Sequence, residues 1–401
     1  MSVQTGLDRL VEDGCKQLSG LKIGLLANQA SVDRKFRHIA DILHESRSCR
    51  LLKIFAPEHG FRGELQDMAT VGNAVDQKTG LPVISLYGAT EASLTPQLSD
   101  LDDLDALVVD LPDIGTRYYT FAQSLGYAMK AARAKSIKIF VIDRPNPISG
   151  AQVEGSGLSE SCRSFCGYAP VVQRHGLTLG ELAELMQQGF GIGEDRIPAI
   201  SCDLEVLKVS GWTRDMYFDD TGLPWVIPSP NMPTLETAIV YPGGCLFEAT
   251  SLSEGRGTTK PFEFVGAPGV HPERWIDAAM KQGIVLDGCH LRPITFQPQF
   301  QKHRGQVCGG VQIHITQRRL FRPFRAALAL LFALKHSHAA AFAWRSEAYE
   351  FISTVPPIDL LYGNSHLREA LESGEKACAL LPEIEECESS FLQARRDFLL
   401  Y

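Results

Sequence analysis

Apolar positions in the first part of the chain form short continuous runs separated by stretches with helical spacing. The runs predict strands over residues 21–27, 51–56, 83–87, 106–111 and 137–142. The helical spacing predicts helices over residues 33–45 and 120–135. Continuous apolar strands that alternate with helices are typical of a parallel sheet covered on both faces. The pattern therefore predicts an α/β fold with a Rossmann-like, doubly wound, mostly parallel sheet.

The pattern loosens beyond residue 150. A capping-box sequence at Thr178 predicts a helix over residues 177–189, and a short strand over 225–227 runs into the proline-dense loop 228–233. From about residue 265, predicted helices mix with two short strands: helices 272–282 and 323–335, strands 294–297 and 311–315. We therefore expect a Rossmann-like catalytic domain over residues 1–265 and a smaller C-terminal α+β domain over residues 266–401.

Composition and charge narrow the classes of partner. The 401 residues are 44% hydrophobic, which suits a globular core, and the net charge of -8 argues against nucleic-acid binding. The apolar run 326–334 is too short to cross a bilayer, so no membrane partner is expected. The first residues lack a basic and apolar leader, which favours a cytoplasmic location, or a periplasmic or secreted one for a trimmed sequence. The oligomeric state stays open.

The sequence predicts no cofactor and no metal. The turn after the first strand, residues 28–31, carries no glycine, so the dinucleotide fingerprint is missing where it must sit, and no phosphate-binding P-loop is seen. Ten cysteines are scattered along the chain without a C-x-x-C pair. Cys162, Cys166 and His175 make an incomplete and weakly spaced zinc set. Free thiols in a reducing compartment are the better interpretation.

Acidic, basic and aromatic side chains gather just after three of the predicted strands. In an open parallel sheet, ligands bind beyond the carboxyl ends of the strands. The residues delivered there are Glu58, His59, Arg62 and Glu64 after one strand, Asp110, Asp113, Arg117, Tyr118 and Tyr119 after the next, and Asp143, Arg144, Asn146 and Glu154 after the third. These positions therefore predict a polar site along one edge of the sheet.

Most of these residues also have a purely structural interpretation. Asp110 and Asp143 are equally suited to capping helices or holding loops, and Arg117 to pairing with Asp113. One of the two adjacent tyrosines is expected in the core. Glu58 is different, because it lies just past a strand end, between a proline and a glycine-bearing turn that fixes its direction. We therefore regard Glu58 as the strongest catalytic candidate.

Carboxyl groups close to arginines and aromatic rings suit sugar chemistry. Glycoside hydrolysis generally uses one carboxyl group to protonate the leaving oxygen and a second to assist attack. Aromatic faces stack on pyranose rings, and an arginine binds a substrate carboxylate through two parallel hydrogen bonds. The candidate residues therefore fit a glycosidase that acts on an acidic sugar.

Six motifs in a fixed order then resemble a known family, the exo-acting β-N-acetylmuramidases, which are peptidoglycan hydrolases once catalogued only as a domain of unknown function. The motifs are FAPEHGFRGE (55–64), DLPDIGTRYYT (110–120), DRPNP (143–147), VEG (153–155), SPNMP (229–233) and EGRGTTKPFE (254–263). The likeness covers nearly the whole chain. It implies removal of N-acetylmuramic acid from the non-reducing end of peptidoglycan glycan fragments, in cell-wall turnover or recycling.

The resemblance also implies roles for individual residues. It places the catalytic glutamate at Glu58 and a cleft between a Rossmann-like part and a smaller C-terminal part. The second carboxyl group stays open among Glu254, Glu64 and Glu154, in that order. Asn231 joins the substrate-binding candidates named above, and the lactyl carboxylate of the substrate is expected to bind one of four arginines: Arg62, Arg117, Arg144 or Arg256.

Two other functions remain open from the sequence. One is a metal-dependent hydrolase of the phosphoesterase kind, with His59, Asp110, Asp113 and Asp143 around a divalent ion. The other is a non-catalytic sugar-binding protein on the same fold. Whether the anomeric configuration is retained or inverted is also open, because it depends on the distance between the two carboxyl groups.

Overall fold

A seven-stranded sheet forms the centre of the first unit of the protein. The computed structural model describes residues 2–62 and 74–401. The strands of this sheet are β1 (Lys22–Ala27), β2 (Arg50–Ala56), β3 (Ala74–Val75), β4 (Pro82–Ser85), β5 (Ala106–Asp110), β6 (Lys138–Ile142) and β9 (Leu204–Leu207). Their order is β3-β4-β2-β1-β5-β6-β9, and every pair is parallel except β3 with β4. The predicted α/β, Rossmann-like, mostly parallel sheet is confirmed.

Helices cover this sheet and complete its core. They are α1 (Gly6–Glu12), α2 (Ile39–Glu45), α3 (Phe121–Lys135) and α4 (Leu179–Gln188), and a small hairpin of β7 (Phe190–Ile192) and β8 (Asp195–Ile197) follows α4. The strands are apolar along most of their length, and β5 is buried throughout. Leu7 and Leu43 from the helices pack with Leu25, Ile54 and Val108 from the strands in one buried cluster. Burial of this apolar surface is the main driving force for the unit.

Two details of the first unit differ from the sequence-based expectation. The helix expected from residue 33 begins at Ile39, because His38 caps it by accepting the Ala40 N–H at 3.2 Å. Asp33 instead accepts the N–H groups of Lys35 and Arg37 in a turn. The strand expected over residues 225–227 is wrong, since this segment is irregular.

A smaller α+β arrangement forms the second unit. Its antiparallel sheet has the order β10-β12-β11, with β10 at Phe264–Ala267, β11 at Cys289–Phe296 and β12 at Cys308–Ile315. Its helices are α5 (Leu235–Gly244), α6 (Pro272–Ala279), α7 (Pro323–Ser337), α8 (Pro357–Tyr362), α9 (His366–Glu372) and α10 (Leu381–Ala394). Among the helices of the described residues, none has the length and apolar character needed to cross a bilayer.

The division into units differs from the predicted boundary at residue 265. The first unit contains Met1–Gln152, Gly176–Pro233 and Ala394–Tyr401, and the second contains Val153–His175 and Thr234–Gln393. A boundary at residue 265 would cut through β10, which pairs with β12 in the second unit. The correction follows from this pairing, because β10 needs its partner strand for its backbone hydrogen bonds.

Candidate functional site

Glu58 lies at the carboxyl edge of the sheet in the first unit. It follows β2 and Pro57, and the chain then turns through His59 and Gly60, whose φ angles are 71° and 82°. The Gly60 N–H donates to the Pro57 carbonyl at 3.1 Å and closes this turn. The turn holds Glu58 and His59 in a buried position, with 6% and 8% of their surface exposed.

A hydroxyl group holds the Glu58 carboxyl group. Thr120 Oγ1 donates to Glu58 Oε2 at 2.8 Å, and Thr120 stands immediately before α3. Thr120 lies inside the motif that begins at Asp110, but the sequence analysis assigned no role to it. A threonine that directly precedes a helix at the carboxyl edge of a sheet is the signal that could have pointed to it.

Tyr119 lies near both Glu58 and a second acid, Asp113. Burial raises the pKa of the Tyr119 phenol well above its usual range, the Ser229 side chain partly offsets this, and the carboxyl groups of Asp113 and Glu58 raise it further. Tyr119 also packs edge-on against Phe121, with ring centroids 4.9 Å apart. The fold thus brings two acids and a neutral phenol together at one edge.

Asp113 is held in a polar loop after β5. The Gly115 N–H donates to Asp113 Oδ2 at 2.6 Å. Burial raises the pKa of the Asp113 carboxyl group to about 7, and the backbone N–H groups of Gly115 and Ile114 oppose this rise. A carboxyl group in this state keeps its proton under conditions where an ordinary aspartate is ionised.

Asn146 supports the loop that carries Asp113. Gly115 has φ 79°, and a Cβ atom there would meet Asn146 Oδ1 at 2.4 Å. The amide of Asn146 donates to the Leu177 carbonyl at 2.9 Å and accepts the Ile148 N–H at 3.1 Å. In this structure Asn146 therefore holds loops together.

Arg144 pairs with the acid that ends β5. Its Nε and Nη2 atoms donate to the two carboxylate oxygens of Asp110 at 2.5 and 2.7 Å. Both terminal nitrogens also donate to the Val32 carbonyl at 3.1 Å. The guanidinium group of Arg144 is thus engaged by the protein itself.

Asp143 is fully buried and joins several segments of the first unit. It accepts hydrogen bonds from Thr178 Oγ1 at 2.7 Å, the Gly180 N–H at 2.8 Å and the Tyr401 hydroxyl at 2.6 Å. Burial raises the pKa of Asp143 to about 6, and these hydrogen bonds oppose the rise. The contacts give Asp143 a structural role at the start of α4, which is one of the two interpretations the sequence offered.

The other predicted residues of the first unit are placed as follows. Arg62 donates to Asp76 Oδ1 at 2.7 Å, and its side chain is 40% exposed. Four more are largely buried: Arg117, Tyr118, Tyr119 and Asn231. The carbonyl of Arg117 accepts Gln123 Nε2 at 2.7 Å. Glu64 lies outside the described residues.

Glu254 belongs to a buried ionic cluster in the second unit. Its Oε1 atom is 3.3 Å from Arg256 Nε, and its Oε2 atom accepts Lys302 Nζ at 2.9 Å. Arg256 also donates to Glu248 at 2.7 Å, and the Tyr349 hydroxyl donates to the same carboxylate at 2.6 Å. Both oxygens of Glu254 are thus paired with cations of the protein.

Glu154 lies at the N-terminus of α7, also in the second unit. It is fully buried, and its Oε1 atom accepts the Arg325 N–H at 2.9 Å. Arg325 pairs with Glu388 at 2.7 Å. Burial raises the pKa of Glu154 to about 7, which the Arg325 backbone and side chain oppose. Its contacts are those of a helix cap.

The metal-dependent hydrolase considered in the sequence analysis would need several of the predicted acids and His59 to bind one metal ion. Within residues 2–62 and 74–401, no three His, Cys, Asp or Glu side chains are grouped so that they could hold a metal ion. His59, Asp110, Asp113 and Asp143 all lie among these residues, and the three aspartates accept hydrogen bonds from protein atoms.

Two family models and a curated relative match this chain over most of its length. The family models described as exo-β-N-acetylmuramidase NamZ, N-terminal and C-terminal, match residues 23–236 and 239–401. The peptidoglycan β-N-acetylmuramidase NamZ of Bacillus subtilis strain 168 is 40% identical over 399 residues, which are 100% of this chain and 91% of that protein.

Two solved structures have the same fold over the whole chain. Both are DUF1343 family proteins from Bacteroides fragilis NCTC 9343, and each comparison covers 100% of this chain and 99% of the other. One has a TM-score of 0.88 at 30% identity, and the other 0.71 at 28%. Since both family models and the Bacillus relative span the chain, this protein belongs to the exo-β-N-acetylmuramidase NamZ family of glycosidases.

Proposed function

We propose that this protein releases N-acetylmuramic acid from the non-reducing end of peptidoglycan glycan fragments, with Glu58 as a catalytic carboxyl group. The observation that carries the proposal is the position of Glu58. It lies at the carboxyl edge of a parallel sheet, where open α/β folds bind ligands, and it is fixed there by the turn at His59 and by the Thr120 hydroxyl. The family of the chain supports the substrate class.

The hydrogen bond from Thr120 gives Glu58 a defined orientation. A carboxyl group that acts on a sugar must be held within a few tenths of an ångström of its working position. Thr120 occupies Oε2 of Glu58 at 2.8 Å, and the Thr120 backbone is itself held at the start of α3. The hydrogen bond from Thr120 therefore fixes the orientation of the Glu58 carboxyl group relative to the sheet. A preorganised catalytic group requires such a fixed orientation.

Among the acids proposed as a second carboxyl group, Glu254 is already engaged in ion pairs. Arg256 and Lys302 hold both its oxygens. One carboxyl oxygen of Glu154 accepts a hydrogen bond from the Arg325 N–H. A carboxyl group that protonates a leaving oxygen has to keep its proton near the working pH. Asp113 in the first unit and Glu154 in the second both have a pKa raised to about 7 by burial.

We also propose that the protein works inside the cell, on fragments taken up during cell-wall recycling. All ten cysteines lie among the described residues and are free thiols. Free thiols are usual in reducing compartments, where disulfides seldom form. A cytoplasmic enzyme would meet short soluble saccharides rather than the intact wall.

Substitution of Glu58 tests the catalytic proposal. Glu58→Gln keeps the size and the Thr120 hydrogen bond but cannot ionise or give up a carboxyl proton. We expect its kcat/KM on 4-nitrophenyl N-acetylmuramide to fall by about 10²–10⁴-fold, the contribution typical of such groups. The thermal unfolding midpoints of Glu58→Gln and of the wild type should differ by no more than a few degrees.

The control is Glu45→Gln, an exposed glutamate at the end of α2 in the same unit, which should keep full activity. Wild-type activity should also survive EDTA, since no metal takes part in the proposed step. Full activity of Glu58→Gln would overturn the role of Glu58, and loss of wild-type activity in EDTA would favour the metal-dependent alternative.

A further inference from the structure

The segment Ala394–Tyr401 joins the first unit from a distant part of the chain. Phe398 packs edge-on against Phe190, with ring centroids 5.6 Å apart. The Leu400 N–H donates to Glu181 Oε1 at 2.9 Å, in the first turn of α4. One aromatic contact and one backbone hydrogen bond therefore anchor this segment beside α4.

The Tyr401 side chain reaches the buried acid that follows β6. Its hydroxyl group donates to Asp143 Oδ2 at 2.6 Å and accepts the Val209 N–H at 2.9 Å. Its ring packs edge-on against Trp212, with centroids 5.4 Å apart. Because the hydroxyl group donates to one partner and accepts from another, its direction is fixed.

Asp143 accepts hydrogen bonds from several segments of the first unit. Oδ2 accepts the Thr178 hydroxyl at 2.7 Å as well as the Tyr401 hydroxyl. Oδ1 accepts the Gly180 N–H at 2.8 Å and the Arg144 N–H at 3.0 Å. An ionised carboxylate accepts all four of these hydrogen bonds, since it needs no donor role of its own.

The loop that begins at Asp143 supports the segment that carries Asp113. Asn146 donates to the Leu177 carbonyl at 2.9 Å and lies against Gly115, where a Cβ atom would meet Asn146 Oδ1 at 2.4 Å. The Gly115 N–H in turn donates to Asp113 Oδ2 at 2.6 Å. Asp143 and Asn146 therefore tie one loop to the start of α4, and that loop packs against the Asp113 segment.

Asp113 and the proposed catalytic Glu58 share a neighbour. The carboxyl groups of both raise the pKa of the Tyr119 phenol, so both lie near this residue. A shift of the loop over residues 143–147 would thus reach the surroundings of Glu58 through contacts within the first unit. Displacements of about 1 Å that begin far from the chemistry can lower a rate by about 10²-fold.

We propose that Tyr401 is a positioning residue of the reaction, because its hydrogen bond to Asp143 holds the loop over residues 143–147, and with it the Asp113 segment, in the arrangement that Glu58 needs. This inference rests on the glycosidase function proposed above. Tyr401 takes no part in the chemical step. Activity then depends on a contact between two residues that are 258 positions apart in the chain.

The variant Tyr401→Phe removes the hydroxyl group and keeps the ring against Trp212. We expect its kcat on 4-nitrophenyl N-acetylmuramide to fall by about tenfold and its KM to stay within about twofold, since the groups displaced act in the chemical step. The matched control is Phe398→Leu, which weakens the same segment and leaves the hydroxyl group in place. It should lower the thermal unfolding midpoint without lowering kcat.

The pH profile of kcat separates positioning from a loss of stability. Burial raises the pKa of Asp143 to about 6, and the Tyr401 hydroxyl opposes this rise. Glu181 also faces Asp143 and raises its pKa further, although Arg214 holds Glu181 at 2.7 Å. Because the ionised form accepts all four hydrogen bonds, wild-type kcat should fall as the pH drops through about 6. Without the Tyr401 donor the pKa of Asp143 rises, so Tyr401→Phe should lose activity at a higher pH, and Asp143→Asn should lack this step.

Each outcome separates this inference from the wider proposal. Wild-type kcat and an unchanged pH profile in Tyr401→Phe would overturn the role of Tyr401 and leave that of Glu58 intact. A wild-type profile without a step near pH 6, or an equal shift of that step in Phe398→Leu, would contradict the inference as well. Retained activity of Glu58→Gln would overturn the proposed function itself, whatever the result at Tyr401.

Discussion

At the scale of single residues, acids with similar positions in the sequence have different chemistry in the fold. Asp110 meets a guanidinium group, Asp143 meets a helix start and a phenol, and Asp113 accepts backbone N–H groups of its own loop. Glu58 meets a hydroxyl group. Sequence position predicts that these acids share one sheet edge, but Asp110, Asp143 and Glu58 take side-chain partners from segments distant in the chain. The partner decides whether the acid is structural or reactive.

The pair of Arg144 and Asp110 shows how strongly a structural partner matters. Asp110 is fully buried and the Arg144 side chain is 13% exposed, so removing the cation leaves a buried carboxylate unpaired. We expect Arg144→Met to lower the free energy of unfolding in urea by about 3 kcal/mol.

The double variant Asp110→Asn with Arg144→Met is the control for this pair. It should recover part of the loss, because the buried charge is then gone as well. If Arg144→Met alone lowers the free energy of unfolding by less than about 1 kcal/mol, the pair does not stabilise the fold as described.

At the scale of elements, the sequence located the interior of most helices and strands and misplaced some of their ends. Thr178 and Glu181 form the predicted capping box of α4, because both partners are three residues apart. The predicted start of α2 was wrong. His38 is an unusual helix cap, and the Asp33 side chain accepts hydrogen bonds within a turn and does not cap the helix. The cap of α7 comes from Glu154, which is 171 residues from Arg325 in the chain. No local pattern could reveal that contact.

The cap of α7 should also make stability depend on pH. The native carboxyl group of Glu154 holds its proton up to about pH 7, whereas an unfolded glutamate loses it near pH 4.3. The contribution of this group to the free energy of unfolding is therefore full below about pH 4.3 and is lost as the pH rises through 7. In Glu154→Gln this dependence disappears, and a side-chain oxygen remains for the Arg325 N–H.

Urea unfolding at pH 5 and pH 8 measures the effect. We expect the wild type to lose up to about 3 kcal/mol more than Glu154→Gln between these two pH values. The exposed Glu347→Gln is the control and should follow the wild type. Identical pH dependence in the wild type and Glu154→Gln would show that the buried carboxyl group does not titrate as described.

At the scale of the whole molecule, the sequence predicted the mostly parallel sheet, a smaller α+β part and the family. It did not predict which segments of the chain belong to each of the two units. The segment Val153–His175 belongs to the second unit and Ala394–Tyr401 to the first. Such exchanges depend on long-range contacts, for example the hydrogen bond from Tyr401 to Asp143 at 2.6 Å. The role proposed for Tyr401 could not be predicted for the same reason, since its partner Asp143 is 258 residues away in the chain.

The measurement that tests the central claim most directly is a proton NMR time course with two isomeric disaccharides. One carries N-acetylmuramic acid at the non-reducing end, linked to N-acetylglucosamine, and the other has the reverse order. We predict that the wild type cleaves the first and leaves the second intact, and that Glu58→Gln cleaves neither. The anomer of N-acetylmuramic acid that appears first will show whether configuration is retained or inverted. Cleavage of the reverse disaccharide at an equal rate, or release of N-acetylmuramic acid by Glu58→Gln at the wild-type rate, would contradict the account.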